Sequence, residues 1–277
     1  MNLVFTTGLG IAALSFTAEY VDSSLGMGYG TTLAPLLLVL GFAPLEVVPA
    51  LLVSQLLAGV LSGFVHHSVG NVNLRPKSFS ISLLVYKLKK YGVRESMRRA
   101  LPRGLQVALL IAAASTLGAV VAVLVAVRLP EQVLRLWVAG LVLGVGVVIL
   151  LTIRLHLRFS WRRIAGLGVL AAFNKGISGG GYGPLVTGGQ VLSGVPVRET
   201  VGITSVAEAF TCAVGIAAYA FQPAAVWRLA PYLAGGALLS VPLTGFTVRA
   251  MRPQALRLGI GLITVTLGLA TLLQTLY

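Results

Sequence analysis

The chain has 277 residues, 57% of them hydrophobic and 10% charged, with a formal net charge of +14. A water-soluble domain carries about 25% charged residues, so this chain cannot clothe a soluble surface and belongs in a membrane. The positive charge does not signal nucleic acid, because the basic residues are confined to stretches between apolar runs, where they follow a topology rule.

Ten apolar segments follow one another, over 2–20, 26–41, 44–66, 104–127, 131–153, 163–177, 182–195, 198–221, 230–249 and 254–276. They approach the length of a spanning helix rather than the ~10-residue alternating segments of a membrane barrel. The first lacks a positive leader region and reads as a spanning segment, not a secretory signal. The second and seventh are short. Sixteen residues rise about 24 Å, less than the ~30 Å hydrocarbon core, so both are expected to begin inside the membrane. Each starts at a glycine run, Gly26-Met27-Gly28-Tyr29-Gly30 or Gly179-Gly180-Gly181-Tyr182-Gly183.

The two runs align at an offset of 153 residues, and the alignment continues without a gap. Gly41 meets Gly194, Glu46 meets Glu199, Arg75 meets Arg228, Asp22 meets Lys175 and Gln55 meets Glu208. The expected fold is therefore an all-α polytopic membrane helix bundle of two five-segment repeats, 1–153 and 154–277, each broken at its glycine-rich motif. Five is odd, so the repeats should have inverted topology. The 67–104 loop carries nine basic residues and the 154–163 loop four; Arg198, Arg249, Arg252 and Arg257 bring the total on one side to 17 of 21. That side should be the cytoplasm, with both termini outside and the chain multi-pass in the cell inner membrane. The basic 67–104 loop is expected to be solvated.

A half-helix that starts within the bilayer points unpaired N–H groups and roughly half a positive charge inward. Two such ends converging from inverted repeats suit an anion. The candidate substrate-binding residues are Gly28, Tyr29, Gly30, Asn174, Lys175, Gly181, Tyr182 and Gly183. Lys175 either adds charge to the anion site or pairs with Asp22, and the glycines serve either the site or helix packing. Glu19, Asp22, Glu208 and Gln55 are the coupling or gating candidates. An acid in apolar surroundings either hydrogen-bonds structurally or binds and releases protons. Glu46 and Glu199 read as first-turn acids stabilised by the helix dipole. His66 and His67 read as interfacial, since adjacent helical residues point to different faces and make a poor metal pair.

The paired glycine breaks, each before a short apolar segment, together with the size, the duplication and the central basic loop, resemble the sulfite exporter TauE/SafE family of membrane permeases over the whole chain. The resemblance implies movement of small sulfur-containing anions such as sulfite, sulfoacetate or other organosulfonates. The function expected is a secondary transporter working by alternating access; export is the favoured direction with uptake as the other, and protons are one candidate for the coupling ion. The expected partners are the anion, the lipid bilayer and protons; a homodimer is left open. No phosphate-binding glycine-lysine loop occurs, so ATP is not the direct energy source, and no cofactor or metal is expected. The rival readings are a passive anion channel of the same fold and an intramembrane lipid-processing enzyme, for which the sequence offers no nucleophile–base or multi-histidine arrangement.

Overall fold

The computed structural model describes residues 2–42, 44–76, 100–126, 131–152, 158–178, 182–220 and 227–276. Among them are ten helices and no strands: α1 (Asn2–Leu25), α2 (Tyr29–Val39), α3 (Pro44–Ser68), α4 (Arg103–Ala126), α5 (Glu131–Leu151), α6 (Trp161–Ser178), α7 (Tyr182–Leu192), α8 (Val197–Ala220), α9 (Ala230–Ala250) and α10 (Pro253–Leu276). Each falls on one expected apolar segment. Most of the 67–104 loop, residues 77–99, lies outside the described residues.

Local chemistry sets the ends. Pro44 and Pro253 open α3 and α10, where a missing N–H costs nothing. Glu46 and Glu199 lie in the first turns of α3 and α8, as expected for acids at a positive helix end. Among the described residues, four helices are long and apolar enough to cross a membrane, within α3, α8, α9 and α10. Large apolar side chains such as Phe64, Phe210, Leu239 and Phe246 stand exposed on their outer faces, where lipid rather than water is the fitting solvent. α2 and α7 have only 11 residues each, about 16 Å of rise, and cannot cross alone.

The principal helix pairs are α1 with α9, α4 with α6, α3 with α8 and α5 with α10. Small residues make them close. A β-carbon on Gly59 of α3 would lie 2.7 Å from the Ser205 carbonyl of α8, and one on Gly236 of α9 would collide with the Ala12 carbonyl of α1. One apolar core unites side chains of α4 to α8. A second unites α1, α2 and α3 with α9. The fourth helix of each half is thus seated among helices of the other.

Many of these contacts are reciprocal. Gln55 bonds Glu208, its own counterpart at the 153-residue offset. Ser62 meets Ser205 at 2.9 Å, and their counterparts, Gly215 and Leu52, also touch. In the last helices the offset becomes 122 residues: Gly146 packs on the Val265 backbone, and Gly268 on the Leu143 backbone. The change reflects the long connection between α3 and α4.

One end of the bundle is basic and closed by side chain-to-carbonyl bonds. Arg163 donates to the carbonyls of Leu192 and Arg158, Arg198 to Met251, and Arg249 to Val69. Arg103 stacks over the Phe159 ring at 3.6 Å. These contacts gather four inter-helix turns on one side.

Candidate functional site

Both short helices start deep inside the bundle. α1 ends at Leu25, the chain turns through Gly26 (φ +75°) and Gly28 (φ +128°), and α2 begins at Tyr29. Only glycine adopts these values without strain. Gly30 lies beside the Gln55 amide, half-way along α3, so α2 starts level with the middle of a full-length helix. The Tyr182 hydroxyl likewise reaches Ser115, half-way along α4, at 3.1 Å. α6 ends at Ser178 and α7 begins at Tyr182; Gly181, with 179 and 180, lies outside the described residues.

The two breaks meet. A β-carbon on Gly183 would lie 2.7 Å from both the Gly26 carbonyl oxygen and the Met27 α-carbon. Around this junction the polar residues are buried, Asp22 only partly. Asp22 accepts the Tyr29 backbone N–H at 3.0 Å, so a carboxylate of the chain itself sits at the positive end of α2. Glu19 is 2% exposed and accepts the Ser23 hydroxyl. The Asp22 and Glu208 carboxyls lie near it. The Gln55 amide donates to Glu208 at 3.1 Å, and the Cys212 thiol lies 3.9 Å from the Gln55 oxygen.

Gly28, Tyr29, Gly30, Gln55, Glu19, Asp22 and Glu208 are therefore gathered in one region, with Gly183 and Tyr182 on its other side. The tyrosine hydroxyls are not open groups. Tyr29 is fully buried and bonded to Ser15 at 2.8 Å and Ser54 at 2.6 Å. Asn174 and Lys175 lie in α6, and their side chains are outside those described.

His66 corrects the interfacial reading. It is fully buried, and its Nε2 lies 2.9 Å from the Ser23 carbonyl, which only accepts, so Nε2 carries the proton. Its Nδ1 accepts from the Asn71 amide at 3.0 Å, and Asn71 also donates to the Gly245 carbonyl at 2.8 Å. The imidazole thereby ties the end of α1 to α3 and, through Asn71, to α9. The signal available in the sequence was Asn71 itself, a polar residue five positions after a histidine at a helix end. His66→Ala leaves the Ser23 carbonyl and Asn71 amide without their partner. Thermal unfolding of the purified protein should show a loss of about 1–3 kcal/mol.

A groove of about 360 Å³ runs between α3 and α8, lined by Leu56, Val60, Phe64, Val206 and Phe210. Its walls are apolar and its rim exposed, so it suits lipid chains rather than an anion.

A bundle of apolar helices, two of them half-length and starting in a buried polar centre, defines a polytopic membrane protein built to pass a solute. The sequence model of the family described as sulfite exporter TauE/SafE matches residues 92–271. A probable membrane transporter protein, YtnM of Bacillus subtilis (strain 168), is 24% identical over 280 residues, covering 95% of this chain and 82% of the relative. No solved structure matches. The chain belongs to the sulfite exporter TauE/SafE family and is a membrane transporter rather than an enzyme.

Proposed function

We propose that the chain exports a small anion, sulfite or an organosulfonate such as sulfoacetate, by alternating access coupled to protons. Two inverted repeats, 1–153 and 154–277, enclose the anion between their breaks. The basic end of the bundle faces the cytoplasm, and both termini lie outside the inner membrane. The observation that carries this reading is the junction of the two breaks, Gly183 against Gly26 and Met27, beside buried acids. The reciprocal contacts across the halves support the repeat.

Three carboxyls near the junction, Glu19, Asp22 and Glu208, repel an anion unless cations or protons offset them. The two functions separate naturally. Lys175 and the inward N–H groups of α7 hold the anion, and Glu19 and Glu208 take up and release protons as the anion moves. Asp22, already capping α2, serves as the gate.

Lys175→Ala is the test of the anion site. Thermal-shift titration of the purified protein with sulfite, sulfonates, sulfate and carboxylates should show a stabilising anion, and its effect should vanish in the variant while the unliganded midpoint stays near that of the unmodified protein. Unchanged binding removes Lys175 from the site. In liposomes, accumulation against the anion gradient when a pH gradient is imposed is expected of a transporter; purely downhill flux indicates a channel.

A further inference from the structure

A second polar cluster lies on the α7 side of the junction and has no part in the acid group. The Thr187 hydroxyl donates to the Gly26 carbonyl at 2.7 Å. Thr187 and Thr204 are joined hydroxyl to hydroxyl at 2.9 Å, and the Gln190 amide donates to Thr204 at 2.8 Å. All three side chains are at most 1% exposed. The Gln190 carbonyl oxygen is buried without a partner, which is costly unless something occupies it.

The hydrogen bookkeeping gives the cluster its sign. The Thr187 proton is directed to Gly26, so Thr204 donates to Thr187, and both hydroxyl protons are committed. What remains, beside the second N–H of the Gln190 amide, is lone pairs, on the Gly26 carbonyl, the two threonine oxygens and the Gln190 carbonyl oxygen. Gly26 also follows the last turn of α1, the end that carries roughly half a negative charge. An anion finds a single amide N–H here, whereas a hard cation finds four oxygens contributed by three parts of the chain.

The fold does not require this chemistry. At the 153-residue offset the counterparts of Thr187, Gln190 and Thr204 are Ala34, Leu37 and Leu51, and Leu37 and Leu51 pack in an apolar core. The same backbone positions are thus stable without a polar atom. Position 26, by contrast, admits no side chain, since a β-carbon there would collide with the Thr187 hydroxyl.

We propose that Gly26, Thr187, Gln190 and Thr204 form a sodium site. The donors are neutral oxygens, which suits a monovalent ion; divalent cations are normally held by carboxylates, and among the described residues no cluster of three histidine, cysteine or acidic groups forms a metal site. A bound ion pins the end of α1 to α7 and α8. This assignment stands independently of the anion and proton roles, because the ion binds at equilibrium with neither substrate nor gradient.

The experiment uses the full chain purified in detergent, with radioactive sodium in a proximity assay and ionic strength held constant with choline chloride. Saturable binding displaced by sodium chloride but not by choline chloride is expected. Thr187→Val and Gln190→Leu should weaken it about tenfold or more, the scale of loss when a metal's surroundings are altered. Thr204→Ser, which keeps the hydroxyl, should retain it. Absence of saturable binding by the unmodified protein overturns the proposal, as does unchanged affinity in both folded variants. Should those variants not fold, the sodium titration of the unmodified protein and of Thr204→Ser decides alone. Lost anion transport with sodium binding intact would count against the transport reading and leave the sodium site standing.

Discussion

Gly183→Ala should abolish anion transport in proteoliposomes and lower the unfolding midpoint of the purified protein. The added methyl group would press on the Gly26 carbonyl and the Met27 α-carbon, each 2.7 Å from the β-carbon position. Both are backbone atoms, and neither can rotate away. Forcing a methyl into so tight a contact costs about 1–3 kcal/mol. The larger effect falls on function, because the only relief is to part the two breaks and shift the start of α7 away from α1. A displacement of about 1 Å at a binding constellation is enough to cost ~100-fold. Full transport at an unchanged midpoint would show that the breaks need not touch.

The second large effect is expected at Glu208→Gln. The substitution keeps the shape of the side chain and an oxygen that accepts the Gln55 amide, so the α3–α8 contact survives. It removes the one feature that distinguishes position 208 from its counterpart Gln55, an exchangeable carboxyl proton. Uptake measured across a series of external pH values should lose its dependence on the imposed proton gradient, while downhill anion exchange continues. A pH profile like that of the unmodified protein would assign Glu208 to structure and leave Glu19, buried against Ser23, as the proton carrier. Loss of all flux at every pH would instead place Glu208 among the groups that orient the anion.

Much of this architecture could be read from the chain alone, and for physical reasons. Long apolar runs have one solution in a bilayer, so the ten helices among the described residues fall on the expected segments. Glycine clusters inside such runs mark breaks, which is why the ends at Leu25 and Ser178 and the restarts at Tyr29 and Tyr182 were foreseeable. Gln55 and Glu208 stand 153 residues apart, the spacing of the two glycine runs, and they meet where α3 packs on α8.

Side-chain destinations were less legible. Helices that are apolar all round carry no stripe to say which face meets which neighbour, so nothing announced that α1 seats against α9 or α4 against α6. Ser15 and Ser54 hold the Tyr29 hydroxyl; those partners are 14 and 25 residues away, and no local pattern joins them. His66 looked interfacial because it ends a helix beside a second histidine. Its burial depends on Asn71 folding back and on Gly245 arriving from α9.

The exchanged seating of the fourth helices has a bearing on biosynthesis. Ser15 hydrogen-bonds the Leu233 carbonyl, 218 residues downstream, so α1 finds its permanent neighbour only when α9 is inserted. Until then its small-residue face stays open to lipid or to other nascent chains, a state prone to misassembly. Ribosomes stalled before residue 230 should therefore yield protease-sensitive fragments, and the two halves, made as separate polypeptides, should mature only when produced together.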